Sequence, residues 1–214
     1  MSSSDNTTDN TTDNTTDNTT DNTNDSDELS SDDYDFSSNG RHLYYHVIRN
    51  RYLLLKKIGY GSFSSVWFVL DWTEMKYYAM KIYNDDDYEE GINEIKILKM
   101  ITKTKCKYLM LMIDYFIYET KHEGKKYRHP CMVFELMVGS LYELSKYEYE
   151  KKGIPMDIIE KIMPQIIEGI NILHKELLII HGDLKPENIL IRGYCVEIET
   201  YINYINNINI KKNI

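Results

Sequence analysis

Residues 181–190 decide the fold, and they read His181-Gly182-Asp183-Leu184-Lys185-Pro186-Glu187-Asn188-Ile189-Leu190. An Asp carboxylate can accept a proton from a hydroxyl, and a Lys two residues later can neutralise charge on a phosphoryl group. An Asn five residues after the Asp can bind Mg²⁺ through its amide oxygen. Asp183, Lys185 and Asn188 therefore predict a loop that handles a phosphoryl group, provided that phosphate-binding residues lie elsewhere in the chain.

A glycine-rich segment precedes this loop and runs from Gly59 to Val66. Gly59 and Gly61 would let backbone N–H groups approach phosphates closely, because glycine has no side chain in the way. Ser64 stands where the pattern G-x-G-x-x-G-x-V has its third glycine. By itself the segment also fits an ordinary hairpin turn, so its weight depends on the motifs further along the chain.

A short strand segment, Tyr78-Ala79-Met80-Lys81, comes next and matches the pattern V-A-I-K. Ala79 is the only alanine in the chain, and a small residue there leaves space for a flat adenine against the sheet. Lys81 is predicted to hold nucleotide phosphates, although an exposed strand lysine is the common alternative.

A lysine in this role needs a carboxylate partner to hold it in place. Glu94 is the candidate, because apolar residues at Ile95 and Leu98 turn that side of the helix toward the sheet. Glu89 and Glu90 are interpreted as solvent-exposed helix residues. Downstream, Met132–Met137 reads as a buried strand that leads into a connecting segment, a pattern that many proteins share.

In this order the motifs resemble those of the protein kinase family and, more narrowly, the SR-protein kinases, which phosphorylate serine in Arg/Ser-rich proteins. The resemblance extends over about Tyr45–Arg192. The segments that carry it are Gly59–Trp67, Glu94–Lys99, Cys131–Glu135, Ile179–Asp183 and Lys185–Leu190.

The resemblance implies a role for each candidate residue, with ATP and Mg²⁺ as cofactors and Ser/Thr of a protein as substrate. Asp183 would be the catalytic base, Lys185 and Lys81 would contact phosphate, Glu94 would orient Lys81, and Asn188 would bind Mg²⁺. Phe134 would close the rear of the adenine pocket. The remaining nucleotide-binding residues would be Ile58, Gly59, Gly61, Ser64, Val66, Ala79, Glu135 and Met137.

Three features depart from the common kinase pattern. Gly182 replaces an Arg that many kinases use to bind a phosphorylated activation loop, and the SR-protein kinases also lack that Arg. Pro164 falls inside a predicted helix and should kink it, at a cost of about 3 kcal/mol. No Asp follows Asp183 and no Gly follows Gly193, so the sequence contains no D-F-G.

The lack of D-F-G leaves two functional interpretations open. One is a serine/threonine protein kinase by descent, truncated after the catalytic loop, to which a separate chain could supply the rest of the large lobe. The other is a catalytically inactive pseudokinase or interaction module. Phosphoryl transfer in kinases needs the second Mg²⁺-binding carboxylate, so activity of this chain alone is doubtful.

The predicted fold class is α+β, with a kinase-like small lobe of antiparallel sheet plus one helix and an incomplete helical large lobe. Residues 1–40 are predicted to be a disordered acidic Asn/Thr/Asp repeat tail, 41–137 the small lobe and hinge, 138–193 a partial large lobe, and 194–214 a low-complexity tail. The periodicity predicts strands at Tyr52–Gly59, Ser65–Leu70, Lys76–Ile82, Tyr108–Phe116 and Pro130–Leu136, a charged loop at Lys121–Arg128, and helices at 87–102 and Asp157–Lys175.

The second of these helices presents an apolar face that the incomplete large lobe would leave partly open to water. This apolar face consists of Ile162, Ile166, Ile170 and Leu173.

Charge and composition restrict the class of partner. Residues 1–40 hold eleven Asp and Glu and no Lys or Arg, and the remainder holds 23 acidic and 25 basic residues. The net charge of −9 therefore belongs to the tail, and nothing indicates a nucleic-acid-binding face. No segment is apolar enough to span a membrane. Cys106, Cys131 and Cys195 have no CxxC spacing, which favours reduced thiols in an intracellular protein, cytoplasmic or nuclear.

Overall fold

The structure is a computed structural model of the 214-residue chain, and it describes residues 43–122, 124–149 and 152–193. The predictions for residues 1–40 and 194–214, and the one for Cys195, lie outside the described residues. Within the described ranges, most strand residues lie before Met137 and most helical residues lie after it.

A six-stranded antiparallel sheet forms the first portion of the described chain, with the strand order β1-β2-β3-β4-β6-β5. β2, β3 and β4 follow one another as a meander, and β5 and β6 form a long hairpin at the other edge. The strands are β1 Val47–Ile48, β2 Tyr52–Tyr60, β3 Ser64–Asp71, β4 Lys76–Tyr83, β5 Met112–His122 and β6 Lys125–Glu135.

Both faces of this sheet are covered, and strand alternation sorts the side chains between them. Tyr52, Trp67 and Met80 are buried in the core on one face. The opposite face has two apolar clusters, one around Phe68 and one beneath the helix that links β4 to β5. The second cluster consists of Tyr83, Ile95, Leu98, Met112, Met132 and Phe134.

The linking helix, α1 (Tyr88–Thr104), buries Gly91, Ile95 and Leu98 against the sheet. Its approach is close at Gly91, where an added Cβ would lie 2.8 Å from Pro130 and 3.0 Å from Tyr83. A glycine is therefore required for the helix to sit at this distance. The predicted combination of an antiparallel sheet with one helix is confirmed.

The β5–β6 hairpin corrects the prediction of a charged loop at Lys121–Arg128. β5 continues to His122 and β6 begins at Lys125, so the connection has two residues and includes Gly124 at φ +78°. Charged side chains do not prevent pairing here, because β5 is an edge strand and its alternate positions face water. The start of β5 was also predicted too early, since Tyr108 lies in the turn that precedes Met112.

The remaining elements are three helical segments and a second, two-stranded sheet. β7 (Met137–Ser140) pairs with β8 (Leu190–Arg192), and these strands were not predicted. The helical segments are α2 Leu141–Glu148, α3 Met156–Lys175 and a 3-10 turn at Pro186–Asn188.

α3 begins one residue before its predicted start and continues through Pro164 to Lys175. Gly169 packs against the turn before β5, with a hypothetical Cβ 3.1 Å from the Tyr108 carbonyl oxygen. Leu173 lies one turn after Gly169 on α3 and is buried, so the expectation that it would be open to water was wrong. Among the described residues, no helix has the length and apolar character needed to cross a membrane.

Candidate active site

The centre of the candidate site is an ion pair between β4 and α1. Lys81 Nζ lies 2.6 Å from Glu94 Oε2, and both side chains are only partly exposed. Glu94 precedes the buried Ile95, so packing of the helix onto the sheet carries the carboxylate to the lysine. The two residues that were predicted to form a pair are in direct contact.

Tyr83 is a third member of this group that sequence reasoning missed. Its hydroxyl donates to Glu94 Oε2 at 2.5 Å, and Lys81 Nζ lies 4.8 Å from the centre of its ring. The signal was available, because residues two apart on a strand point to the same face. A tyrosine two positions after Lys81 must therefore lie beside it.

The glycine-rich turn between β2 and β3 lies at one end of the sheet. Gly61 N donates to Ser64 O at 2.9 Å, and the Asn84 side chain donates to Ser62 O at 3.2 Å. A Cβ added at Gly61 would meet nothing within 4 Å, so the backbone there is open to a ligand. Gly59 pairs with Val66 across the two strands, and Ser64 opens β3 opposite Tyr83.

An open cavity of about 500 Å³ lies beside this turn, lined by Lys57–Tyr60 and including Ile58.

The predicted adenine side is built from β4 and β6. Ala79 pairs with Phe134 across these strands, which places the small side chain beside the bulky one. Glu135 ends β6, and its Oε2 lies 3.1 Å from Arg192 Nε. Met137 pairs with Arg192 in the second sheet. The predicted hinge is thus joined to the strand that follows the Asp183 loop.

The loop itself brings Asp183, Lys185 and Asn188 together. Lys185 Nζ lies 2.9 Å from Asp183 Oδ2, and Asn188 Nδ2 donates to the same oxygen and to the Asp183 carbonyl, each at 2.9 Å. The hydrogen bond from Lys185, with that from Asn188, holds the pKa of Asp183 below its ordinary value. Asp183 is therefore a carboxylate at neutral pH, and its contacts with Lys185 and Asn188 stabilise that charge.

These groups fit a nucleotide carrying Mg²⁺. The described residues contain no cluster of three or more His, Cys, Asp and Glu that could hold a metal by itself. Mg²⁺ commonly takes one or two protein oxygens together with substrate phosphates and water. Asn188 uses its amide nitrogen on Asp183, which leaves the amide oxygen as a ligand of the right type. The Lys81 ammonium has the charge that a phosphate group would need as a partner.

Direct contacts thus join five of the predicted residues into two groups, Lys81 with Glu94 and Asp183 with Lys185 and Asn188. A protein kinase domain family model matches residues 52–198.

The chain belongs to the protein kinase family.

Known relatives narrow this assignment. The chain is 34% identical over 180 residues to protein kinase dsk1 of Schizosaccharomyces pombe, covering 79% of this chain and 31% of that protein. It is 31% identical over 175 residues to SRSF protein kinase 3 of Homo sapiens, covering 77% and 30%. These relatives confirm the predicted resemblance to the SR-protein kinases. The chain spans about a third of their length.

A solved crystal structure of a kinase domain has the same fold. The two superpose with a TM-score of 0.60 at 28% identity, covering 70% of this chain and 42% of the other.

Proposed function

We propose that this chain provides the nucleotide-binding lobe and catalytic loop of a serine/threonine protein kinase that transfers the γ-phosphate of ATP to protein Ser/Thr. The Lys81–Glu94 ion pair carries the proposal, because a strand lysine held by a helix glutamate is the device that kinases use to hold ATP phosphates. Family membership supports the reaction type.

Each charged group has a distinct role in this proposal. Lys81, oriented by Glu94, binds phosphate oxygens. Asp183 accepts the proton of the incoming hydroxyl, and Lys185 beside it neutralises charge on the transferring group. Mg²⁺ bound with ATP would further neutralise that charge, and Asn188 would be one of its ligands. Ile58, Gly59, Gly61, Ser64, Val66, Ala79, Glu135 and Met137 would surround the nucleotide.

The substrates, partners and compartment belong to the same proposal. Similarity to an SRSF protein kinase supports Arg/Ser-rich proteins as the substrate class. Residues 41–137 would act as small lobe and hinge, and 138–193 as the first part of the large lobe, which a separate chain could complete. The free, buried thiols of Cys106 and Cys131 agree with an intracellular protein, cytoplasmic or nuclear.

A non-catalytic role, as a pseudokinase or interaction module, is the second candidate. The 214-residue sequence has no aspartate after Asp183, so it contains no D-F-G carboxylate for Mg²⁺. Such a chain would bind nucleotide weakly, or serve as an interaction module. We expect the isolated chain to bind Mg·ATP more weakly than the low-micromolar range.

Isothermal titration with Mg·ATP tests nucleotide binding. Lys81→Met should abolish the heat of binding, because the ammonium that contacts phosphate is lost. Lys76→Met is the matched control, since Lys76 lies on the same strand, exposed and paired with Glu74. Equal affinity in both variants and the parent would show that Lys81 does not hold the phosphates.

Phosphoryl transfer separates the two candidates. The assay uses an Arg/Ser-rich peptide, with and without a second chain that carries D-F-G and the remaining large-lobe helices. Transfer that appears only in the mixture and disappears in Asp183→Asn supports the kinase. A mixture that binds nucleotide but transfers no phosphate supports the non-catalytic role.

A further inference from the structure

The Lys81–Glu94 pair has a third partner in Tyr83, whose hydroxyl donates to the same carboxylate oxygen that binds Lys81. We propose that Tyr83 is a positioning residue, which holds Glu94, and with it α1, in the arrangement that orients Lys81. The inference rests on the proposed role of Lys81 in binding phosphate. It adds a residue that acts through Glu94 and does not touch the nucleotide.

Tyr83 is fixed from several sides. Its side chain is 8% exposed and belongs to the apolar cluster beneath α1. Its backbone carbonyl accepts a hydrogen bond from Nδ1 of the buried His129 at 3.1 Å. Its ring lies where a Cβ on Gly91 would come within 3.0 Å. The hydroxyl therefore cannot swing away from Glu94 without disturbing the packing of sheet and helix.

The hydroxyl is also a donor at every physiological pH. Burial, and then the hydrogen bond to Glu94, raise the pKa of Tyr83, so the group stays protonated. Glu94 Oε2 thus accepts from two donors at once. When Lys81 turns toward a phosphate, Tyr83 still holds the carboxylate, and Glu94 need not rotate into solvent.

The bond also joins two elements that must stay in register. Tyr83 is the last residue of β4, and Glu94 lies one turn after Gly91 on α1. The helix is thus located against the sheet by packing at Gly91 and by a charge-assisted hydrogen bond at Glu94. Both contacts involve only β4, β6 and α1, so this part of the site is arranged without any contribution from the Asp183 loop.

The reactivity of Lys81 toward an amine reagent tests the proposal without nucleotide. Competitive acetylation over a range of pH, read by mass spectrometry of the Lys81 peptide, reports how well the ammonium is held. Tyr83→Phe keeps the ring and removes only the hydroxyl. We expect Lys81 reactivity to rise about threefold to tenfold, the effect of one lost hydrogen bond.

Tyr78→Phe is the matched control, because Tyr78 lies on the same strand and its hydroxyl donates to a different glutamate, Glu74, at 3.4 Å. Lys81 should be unchanged in it. Glu94→Gln should raise Lys81 reactivity at least as much as Tyr83→Phe, and the double variant should add nothing further. Reactivity that is unchanged in Tyr83→Phe, or that falls because Tyr83 had competed with Lys81 for the carboxylate, overturns the proposal.

A second measurement covers the case in which Tyr83→Phe does not fold. With ¹³C-labelled tyrosine rings, the pKa of one buried tyrosine should fall in Glu94→Gln relative to the parent chain, while burial keeps it above the ordinary value. If no such tyrosine signal responds, Tyr83 does not depend on Glu94 and the proposal fails. Neither measurement needs ATP, so the result is independent of whether the chain binds nucleotide.

Discussion

The two groups of residues in the candidate site are held in place by different kinds of interaction. Lys81 and Glu94 lie where α1 packs on a sheet whose two faces are both covered by apolar clusters. Asp183, Lys185 and Asn188 lie on a loop in which every residue from 181 to 188 is exposed. α3, which leads to that loop, has only Gly169 and Leu173 buried among its twenty residues. Packing therefore positions the first group, and short-range hydrogen bonds position the second.

This difference has a consequence for function. A pair fixed by a core keeps its geometry as long as the core is folded, because side chains there have few alternatives. A cluster fixed by its own hydrogen bonds in water is worth less, since exposed charge pairs contribute only about 0–1 kcal/mol. The hydrogen bonds within the Asp183 loop should therefore constrain its geometry less than packing constrains the Lys81 pair.

The largest expected effect in the sheet comes from Asp71. Its carboxylate is fully buried and is bonded by Arg51 at 2.7 Å and by the Thr73 hydroxyl at 2.7 Å. Asp71→Ala should cost about 1–3 kcal/mol of unfolding free energy, because donors of Arg51 and Thr73 lose a buried acceptor, while Arg51 keeps its contacts with Glu74 and Asp114. Urea denaturation measures this. Asp157→Ala removes an exposed pair with Lys161 on α3 and should cost under about 1 kcal/mol. Similar losses of unfolding free energy in the two variants would mean that the sheet and α3 do not differ in how their charged groups are held.

Acid should weaken the same buried contact. Burial alone would raise the pKa of Asp71, but hydrogen bonds from Arg51 and Thr73 outweigh it, and its pKa lies below the ordinary value. A lowered pKa in the folded state contributes stability above the unfolded pKa, and this stability is lost as pH falls through the folded pKa. The loss should be smaller than in Asp71→Ala, because protonated Asp71 still accepts from Thr73. Denaturation of the parent and of Asp71→Asn at pH 7 and about pH 3 checks this, since the variant should lose less.

Most of the sheet could be predicted from sequence because apolar and β-branched residues mark its strands. The helix α1 could be predicted because it has a clear apolar stripe. The β5–β6 hairpin could not, since its tip is charged and strand pairing there depends on the partner strand. β7 and β8 have four and three residues, and they pair across some fifty positions, so neither has a local signal. For α2 the signal was present: Ser140 and Glu143 form a capping box, which is a pattern of sequence.

The candidate site was easier to predict than the fold around it. Asp183, Lys185 and Asn188 are close in sequence, so their contacts follow from spacing. The Lys81–Glu94 contact depends on how a helix packs, and the apolar stripe was enough to choose Glu94. Tyr83 was missed although its place two residues after Lys81 puts both side chains on one face, because no motif marks its hydrogen bond to Glu94.

Gly91 tests whether close packing positions α1. An alanine Cβ would lie 2.8 Å from Pro130, a rigid ring, and 3.0 Å from Tyr83. Overpacking of about 1–3 kcal/mol should exceed the gain in helix propensity of up to about 1 kcal/mol, so Gly91→Ala should be destabilising by about 1–2 kcal/mol. Gly169→Ala on α3 meets its nearest atom at 3.1 Å and should cost less. Thermal unfolding of both variants gives the order.

Ser140 tests the local contacts in the part of the chain after Met137, which includes α2, α3 and the Asp183 loop and is called the second region below. Its hydroxyl accepts from Glu143 N at 3.2 Å, and Glu143 Oε2 accepts from Ser140 N at 2.7 Å. Ser140→Ala should cost about 1 kcal/mol, the typical value of an N-cap, and amide exchange should speed up in α2 before it does in α1. Thr120→Ala, a buried polar change within the sheet, is the comparison. Uniform loss of protection would mean that α2 is not an independent unit.

The smallest effect on stability should come from the exposed apolar residues of the second region. Changing them should instead alter how strongly the chain associates with itself. Ile180 is 84% exposed and Ile167 61% exposed. Exposed side chains contribute little burial, so Ile167→Ser with Ile180→Ser should change unfolding free energy by no more than about 0.5 kcal/mol per site. Apolar side chains left in water favour self-association. Size-exclusion chromatography with light scattering should therefore show the parent chain as partly oligomeric and the double variant as more monomeric. A parent that elutes as one monomer peak and unfolds cooperatively would mean that these side chains need no cover, and that the contrast between the two regions does not extend to association.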